Sequence, residues 1–216
     1  MSRCSKFFTI VSASFIVSAA VSCNRGPAPL KQPYIDASSA GKMAMEQYDK
    51  DGDGKVAGAE LDHAPALKAA IKNLDTDSDG GVSAAEVTER VNAWKAMETA
   101  LASVQCRVTL DGEPLAGATV TFEPESFLGD AVKHAIGTTN PYGMVSPSVP
   151  VDERPDPKSP GGAHFGLYKV RISKMVNGKE TLPARYNTDT TLGQEVSYDD
   201  PGVKNRNVIY ALKSGG

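Results

Sequence analysis

The sequence predicts a multidomain α and β chain, with a helical part first and an antiparallel β-sandwich after it. Three observations carry this reading. Up to Leu101, apolar residues recur at helical spacing: Met45 and Tyr48, Ile71 and Leu74, then Val87, Val91, Trp94 and Leu101. From Val104 the apolar period drops to two. Ahead of both, Phe7 to Ser22 is an apolar run behind Arg3 and Lys6, an address rather than a part of the fold. The 216 residues allow one or two domains. The divisions are a leader over residues 1–22, a tether over 23–37, a helical module over 38–103 and the sandwich over 104–213.

The leader is too short to span a membrane comfortably. It ends in AVSC, which resembles a bacterial lipobox with Cys23 as the lipidated residue and Ala20 where Leu is usual. The resemblance implies a lipoprotein signal peptide and a lipid anchor in the cell envelope. Asn24, standing where Asp would retain an inner-membrane lipoprotein, implies the outer membrane. Cys4 leaves with the leader and Cys23 is acylated, so Cys106 remains alone and no intrachain disulfide is expected. The tether carries Gly26, Pro27, Pro29 and Pro33, a composition that stays extended.

The first helix is expected to start at Ser38 or Ser39, both good N-caps, and to run to Tyr48. A short helical turn precedes Pro65, which suits the first turn of a second helix ending near Leu74. Ser83 caps a third helix, with Glu86 completing a capping box, and that helix is expected to reach Ser103. No Gly or Pro lies between Ser83 and Val104. The helix is therefore expected to feed straight into the first strand as a stiffened hinge, with the β part stable by itself.

Between the helices stand two twelve-residue stretches, DKDGDGKVAGAE (Asp49 to Glu60) and DTDSDGGVSAAE (Asp75 to Glu86). Both fit D-x-D-x-D-G-x5-E and resemble, residue by residue, the calcium loop of the EF-hand family. Ca2+ takes six to eight oxygens at roughly 2.3–2.6 Å. The resemblance assigns carboxylate ligands to Asp49, Asp51, Asp53 and Glu60, and to Asp75, Asp77, Asp79 and Glu86. Lys55 and Gly81 give backbone carbonyls, and Gly54 and Gly80 make the sharp turn. Two Ca2+ ions are implied. Val56 and Val82 hold the position at which paired loops form a short antiparallel contact. A dockerin-type module has similar loops but usually ends them in Asp. Charge agrees with cation binding: Asp36 to Arg90 holds 12 acidic and 6 basic residues, Val104 onward 13 and 12.

In the second part VQCRVTL places Val104, Cys106, Val108 and Leu110 on one face, and Asp111-Gly112 is a turn signal. Ala118, Val120 and Phe122 alternate inward, as do Tyr168, Val170 and Ile172. TTNPYG reads as a turn between strands, VIYAL (Val208 to Leu212) as the last strand, and Asp152 to Gly162 as an exposed loop. VTLDGEPLAGATVTFEPE, GLYKVRI and the tail TLPARYNTDTTLGQEV resemble the carboxypeptidase regulatory-like, transthyretin-like β-sandwich. That resemblance implies a fold and no peptidase activity.

No catalytic pattern stands out. His63, His134 and His164 are scattered, Cys106 alternates inward with apolar residues, and Asp199-Asp200 reads as a solvated turn. A net charge of -3 and dispersed basic residues argue against nucleic acid. The expected protein is a calcium-binding, membrane-anchored envelope lipoprotein, not an enzyme, with a structural or interaction role toward an envelope protein or polysaccharide. A calcium-responsive sensor presenting a groove to a partner and a carbohydrate-binding protein are the alternatives.

Overall fold

The computed structural model describes residues 32–97, 99–154 and 156–215. The expected signal peptide (1–22), the lipidation residue Cys23 and the tether as far as residue 31 lie outside the described residues. The fold is mixed α and β. Helix α1 (Ala37–Tyr48) leads through β1 (Lys55–Ala57) and a 3-10 turn (Gly58–His63) to α2 (Pro65–Leu74), and β2 (Gly81–Ser83) opens α3 (Ala84–Lys95). Strands follow: β3 (Leu101–Ala102), β4 (Cys106–Leu110), β5 (Glu113–Pro114), β6 (Thr119–Pro124), β7 (Ala135–Thr138), β8 (Met144–Val145), β9 (Ala163–His164), β10 (Gly166–Ser173), β11 (Met175–Val176), β12 (Lys179–Glu180) and β13 (Gly193–Val196). A one-turn helix α4 (Pro201–Lys204) precedes β14 (Val208–Leu212).

Local chemistry sets most helix ends. Pro65 occupies the first turn of α2, where its missing N–H costs nothing. At α3 the Ser83 hydroxyl accepts from the Glu86 N–H at 3.3 Å while Glu86 Oε2 accepts from the Ser83 N–H at 2.8 Å. The cap of α1 is Asp36 rather than Ser38 or Ser39: its Oδ1 accepts from the Ser39 N–H at 3.1 Å, so both serines fall inside the helix.

Helix α3 ends at Lys95, short of the expected Ser103. Tertiary bonds explain the early stop. The Gln32 side-chain amide donates to the carbonyls of Trp94, Met97 and Thr99 at 2.7, 3.0 and 2.9 Å. Leu101 and Ala102 pair with His164 and Ala163 of β9. A strand partner thus claims the residues whose spacing suited a helix, and the straight helix-to-strand junction is replaced by a break. Gln32 and the buried Ile35 also tie down the end of the expected tether.

Two four-stranded sheets follow. One has the order β13-β10-β6-β7, antiparallel throughout. The other sets β4 between β14 on one edge and β5 with β8 on the other. Here the expectation of an antiparallel arrangement is corrected. β14 runs parallel to β4, Val208 beside Cys106 and Leu212 beside Leu110. Parallel neighbours need a long crossover, and the whole intervening sheet supplies it. The hairpin at Asp111-Gly112 has both residues at positive φ, 52° and 93°, the mirror-image turn that suits strand twist. The loop from Asp152 to Gly162 is mostly exposed, yet Arg154 gathers it by donating to Val149 O, Ser148 Oγ and Ser159 O.

Cys106, Val108, Val120, Phe122, Tyr168, Val170, Ile172 and Leu212 of the two sheets are buried in one cluster. Their cluster continues without a break into Ala40, Tyr48, Leu67, Leu74, Val87, Val91 and Trp94 of the helices. The reason is the outer face of the first sheet. Leu167 of β10 and its register partner Glu195 of β13 are 0% and 1% exposed, covered by the helical segment. At Gly193 an added Cβ would lie 1.9 Å from the Pro65 carbonyl oxygen, so glycine lets α2 sit directly on β13. The helices and the sheets therefore share one buried cluster.

Candidate metal-binding loops

Both acidic loops begin where a helix stops. The Asp49 N–H donates to Met45 O at 2.9 Å and the Asp75 N–H to Ile71 O at 2.8 Å, so each first aspartate is a C-cap. The side chain then turns back over its own loop. Asp49 accepts from the N–H groups of Gly52 and Gly54 at 2.7 and 2.9 Å, and Asp75 from those of Asp79 and Gly80, both at 3.0 Å. Gly54 and Gly80 have φ of 90° and 87°, a conformation that disfavours any side chain. β1 and β2 join the loops, with Val56 directly opposite Val82.

These folds gather carboxylates. Oxygens of Asp49, Asp51 and Asp53 lie within 4.8 Å of one another, as do those of Asp75, Asp77 and Glu86. Among the described residues these two triads are the only such groups of acidic, histidine or cysteine side chains. Glu60 stands outside the first triad: its Oε1 accepts from Lys50 N–H at 2.6 Å and its Oε2 from Ala57 N–H at 3.1 Å. Asp79 stands outside the second, bonded to the Lys55 ammonium. Lys55 and Gly81, expected through their carbonyls, open β1 and β2.

The electrostatics follow from these bonds. The backbone N–H of Lys50, then that of Ala57, hold Glu60 below the usual carboxylate range. Burial pushes Glu86 up, but donors from Ser83 and Thr76 outweigh it and hold it low. Asp77 is raised by desolvation and by its neighbours Asp79 and Glu86. The donor set is all oxygen and anionic, which suits a hard divalent cation over a soft one.

Behind the loops lies a polar cluster that sequence reasoning missed. Glu195 accepts from Arg90 Nε at 2.5 Å, from Trp94 Nε1 at 3.0 Å and from Asn73 Nδ2 at 2.7 Å. Arg90 also donates both terminal nitrogens to Asp199, at 2.8 and 2.6 Å. Asp199 sits exposed in the expected turn and is also half of a bidentate pair, while Asp200 caps α4 by accepting from the Val203 N–H. A second buried carboxylate, Glu125, accepts from the Tyr48 hydroxyl at 2.8 Å with Lys169 Nζ 3.6 Å away. One signal was visible in the sequence: Arg90 lies on the same helical stripe as Val87, Val91 and Trp94.

The remaining candidates are dispersed. His63 is exposed, His134 lies 3.8 Å from Glu153, and buried His164 meets Ala100 O at 3.1 Å. Burial pushes the Cys106 thiol up to about 12, far from a reactive thiolate at neutral pH. A cleft of about 560 Å³ is lined by Glu125, Asp130, His134 and Glu153, whose ligand atoms do not converge. No helix of the described residues is long and apolar enough to cross a membrane. Comparisons of the chain with models of protein families, with curated proteins and with solved structures give no match.

Proposed function

We propose that the chain is a calcium-binding envelope lipoprotein, built from an EF-hand pair and a transthyretin-like β-sandwich, with a structural or protein-interaction role. The observation that carries the reading is the pair of carboxylate triads on loops joined through Val56 and Val82. Asp49, Asp51, Asp53 and Glu60 would hold one ion, and Asp75, Asp77, Asp79 and Glu86 the other. The ions supply positive charge that lets the crowded carboxylates converge. A structural role is favoured over a groove-presenting sensor because the apolar faces are already covered: α2 packs on β13 and β10, α3 packs on α1, and Leu67, Leu74, Val87 and Trp94 are all buried.

Calorimetry with CaCl2 on the purified chain tests the reading. Two ions are expected, with Kd in the range ~10⁻⁵ to 10⁻³ M typical of extracellular modules. One ion or none overturns it. An apolar dye should bind less in calcium than in chelator; more binding would favour the sensor. Anchoring rests on Cys23, since stable attachment needs more than one acyl chain. Cys23→Ala is expected to move the protein out of the membrane fraction, and retention there would remove the lipid anchor from the proposal.

A further inference from the structure

Resting on the calcium reading, we infer that Glu125 and Glu195 are positioning residues for the two loops, each gripping the helix that leads into one of them. Both carboxylates belong to the strand-rich part and both are only 1% exposed. Each reaches a residue immediately ahead of a loop. Glu125 Oε2 takes the hydroxyl proton bond of Tyr48, the residue before Asp49, at 2.8 Å. The neighbouring Ser126 hydroxyl donates to Gln47 Oε1 at 2.8 Å, which makes the grip two-residue wide. Glu195 Oε2 takes the amide of Asn73, two residues before Asp75, at 2.7 Å. Its other oxygen takes Arg90 and Trp94, on the helix that begins beside Glu86, at 2.5 and 3.0 Å. The second loop is thus held on both flanks by one carboxylate.

The direction of the effect follows from the geometry. With both grips closed, three carboxylates of each loop already lie within 4.8 Å of one another. The grips therefore stabilise the converged arrangement, and an ion binding there is spared part of the ordering cost. Linkage makes the relation reciprocal: calcium in a loop strengthens the grip on its flanks. Each glutamate acts on its own loop, which a general loss of stability would not reproduce.

The experiment titrates CaCl2 into the full chain, purified in detergent, by calorimetry. Glu60→Gln leaves the second loop as the reporter and Glu86→Gln leaves the first. In the Glu60→Gln background, adding Glu195→Gln is expected to weaken the second loop by about five- to fiftyfold. The same change in the Glu86→Gln background should shift the first loop less than twofold. Glu125→Gln should give the converse pattern. Where Glu195→Gln fails to fold by circular dichroism, Asn73→Ala removes one bond of the same grip and reads the same loop; for Glu125, Tyr48→Phe does so. Equal weakening of both loops, no weakening, or tighter binding overturns the inference. If the unmodified chain binds no calcium, the calcium reading itself fails, and that result is separable from the others.

Discussion

The Lys55 ammonium lies on the Asp79 carboxylate, so the seventh residue of the first loop neutralises the fifth of the second. The pair holds Asp79 below the usual carboxylate range and away from the triad of Asp75, Asp77 and Glu86. A cation entering the second loop must compete with this internal one. Lys55→Gln is therefore expected to tighten the second loop in a Glu60→Gln background. Both groups are solvent-exposed, so screening keeps the expected tightening within a few-fold in Kd. Unchanged or weaker binding in calorimetry would show that Lys55 does not compete.

The shared core predicts one unfolding transition. Arg90→Ala leaves Glu195 buried beside two neutral donors and is expected to cost about 3–5 kcal/mol. Trp94, buried against the same carboxylate, is the only Trp and reports the helices by fluorescence, while circular dichroism reports the sheets. Both signals should move together to a lower urea midpoint. Separate midpoints, with the sheet signal unmoved, would show a self-sufficient β part.

Acid should weaken the Arg90–Asp199 pair specifically. Hydrogen bonds from Arg90 hold Asp199 down to about 2, against roughly 3.9 for a free aspartate. A depressed carboxylate contributes stability that is present above its unfolded pKa and is lost as pH falls through the folded one. The window is thus about pH 4 to pH 2. Since the Asp199 side chain is 52% exposed, solvent screening limits the contribution to about 1 kcal/mol or less. The stability difference between the unmodified chain and Asp199→Asn, from urea melts, should be largest near pH 6 and vanish near pH 2. A difference independent of pH would mean that the pair is not acting as an ion pair.

Gly193 predicts a steric test. Gly193→Ala forces its Cβ against the Pro65 carbonyl and should cost about 1–3 kcal/mol, as overpacking does. Gly41→Ala is the companion case, because its Cβ would meet the Ala84 carbonyl oxygen at 2.2 Å where α1 crosses α3. Neither glycine has positive φ, so a loss of stability would report packing alone. A neutral urea midpoint for Gly193→Ala would show that α2 can slide on β13.

By itself, the sequence determined the features that a few neighbouring residues can encode. The Ser83–Glu86 box, Pro65 at the head of α2, the turn glycines Gly54 and Gly80, the Asp111-Gly112 hairpin and the inward alternation of Val120, Phe122, Val170 and Ile172 all follow from local spacing and turn chemistry. The facing of Val56 and Val82 was implied by the resemblance of both loops to paired calcium loops. Only the tertiary structure decided where α3 stops, that β14 lies parallel to β4, and that the outer face of β10 and β13 is covered. The same holds for the polar contacts behind the loops. Arg90 meets Glu195 across 105 residues and Tyr48 meets Glu125 across 77, so neither partner leaves a trace in the other's neighbourhood. Burial there is set by which surfaces the topology brings together, and a carboxylate enters such a place only when distant donors arrive with it.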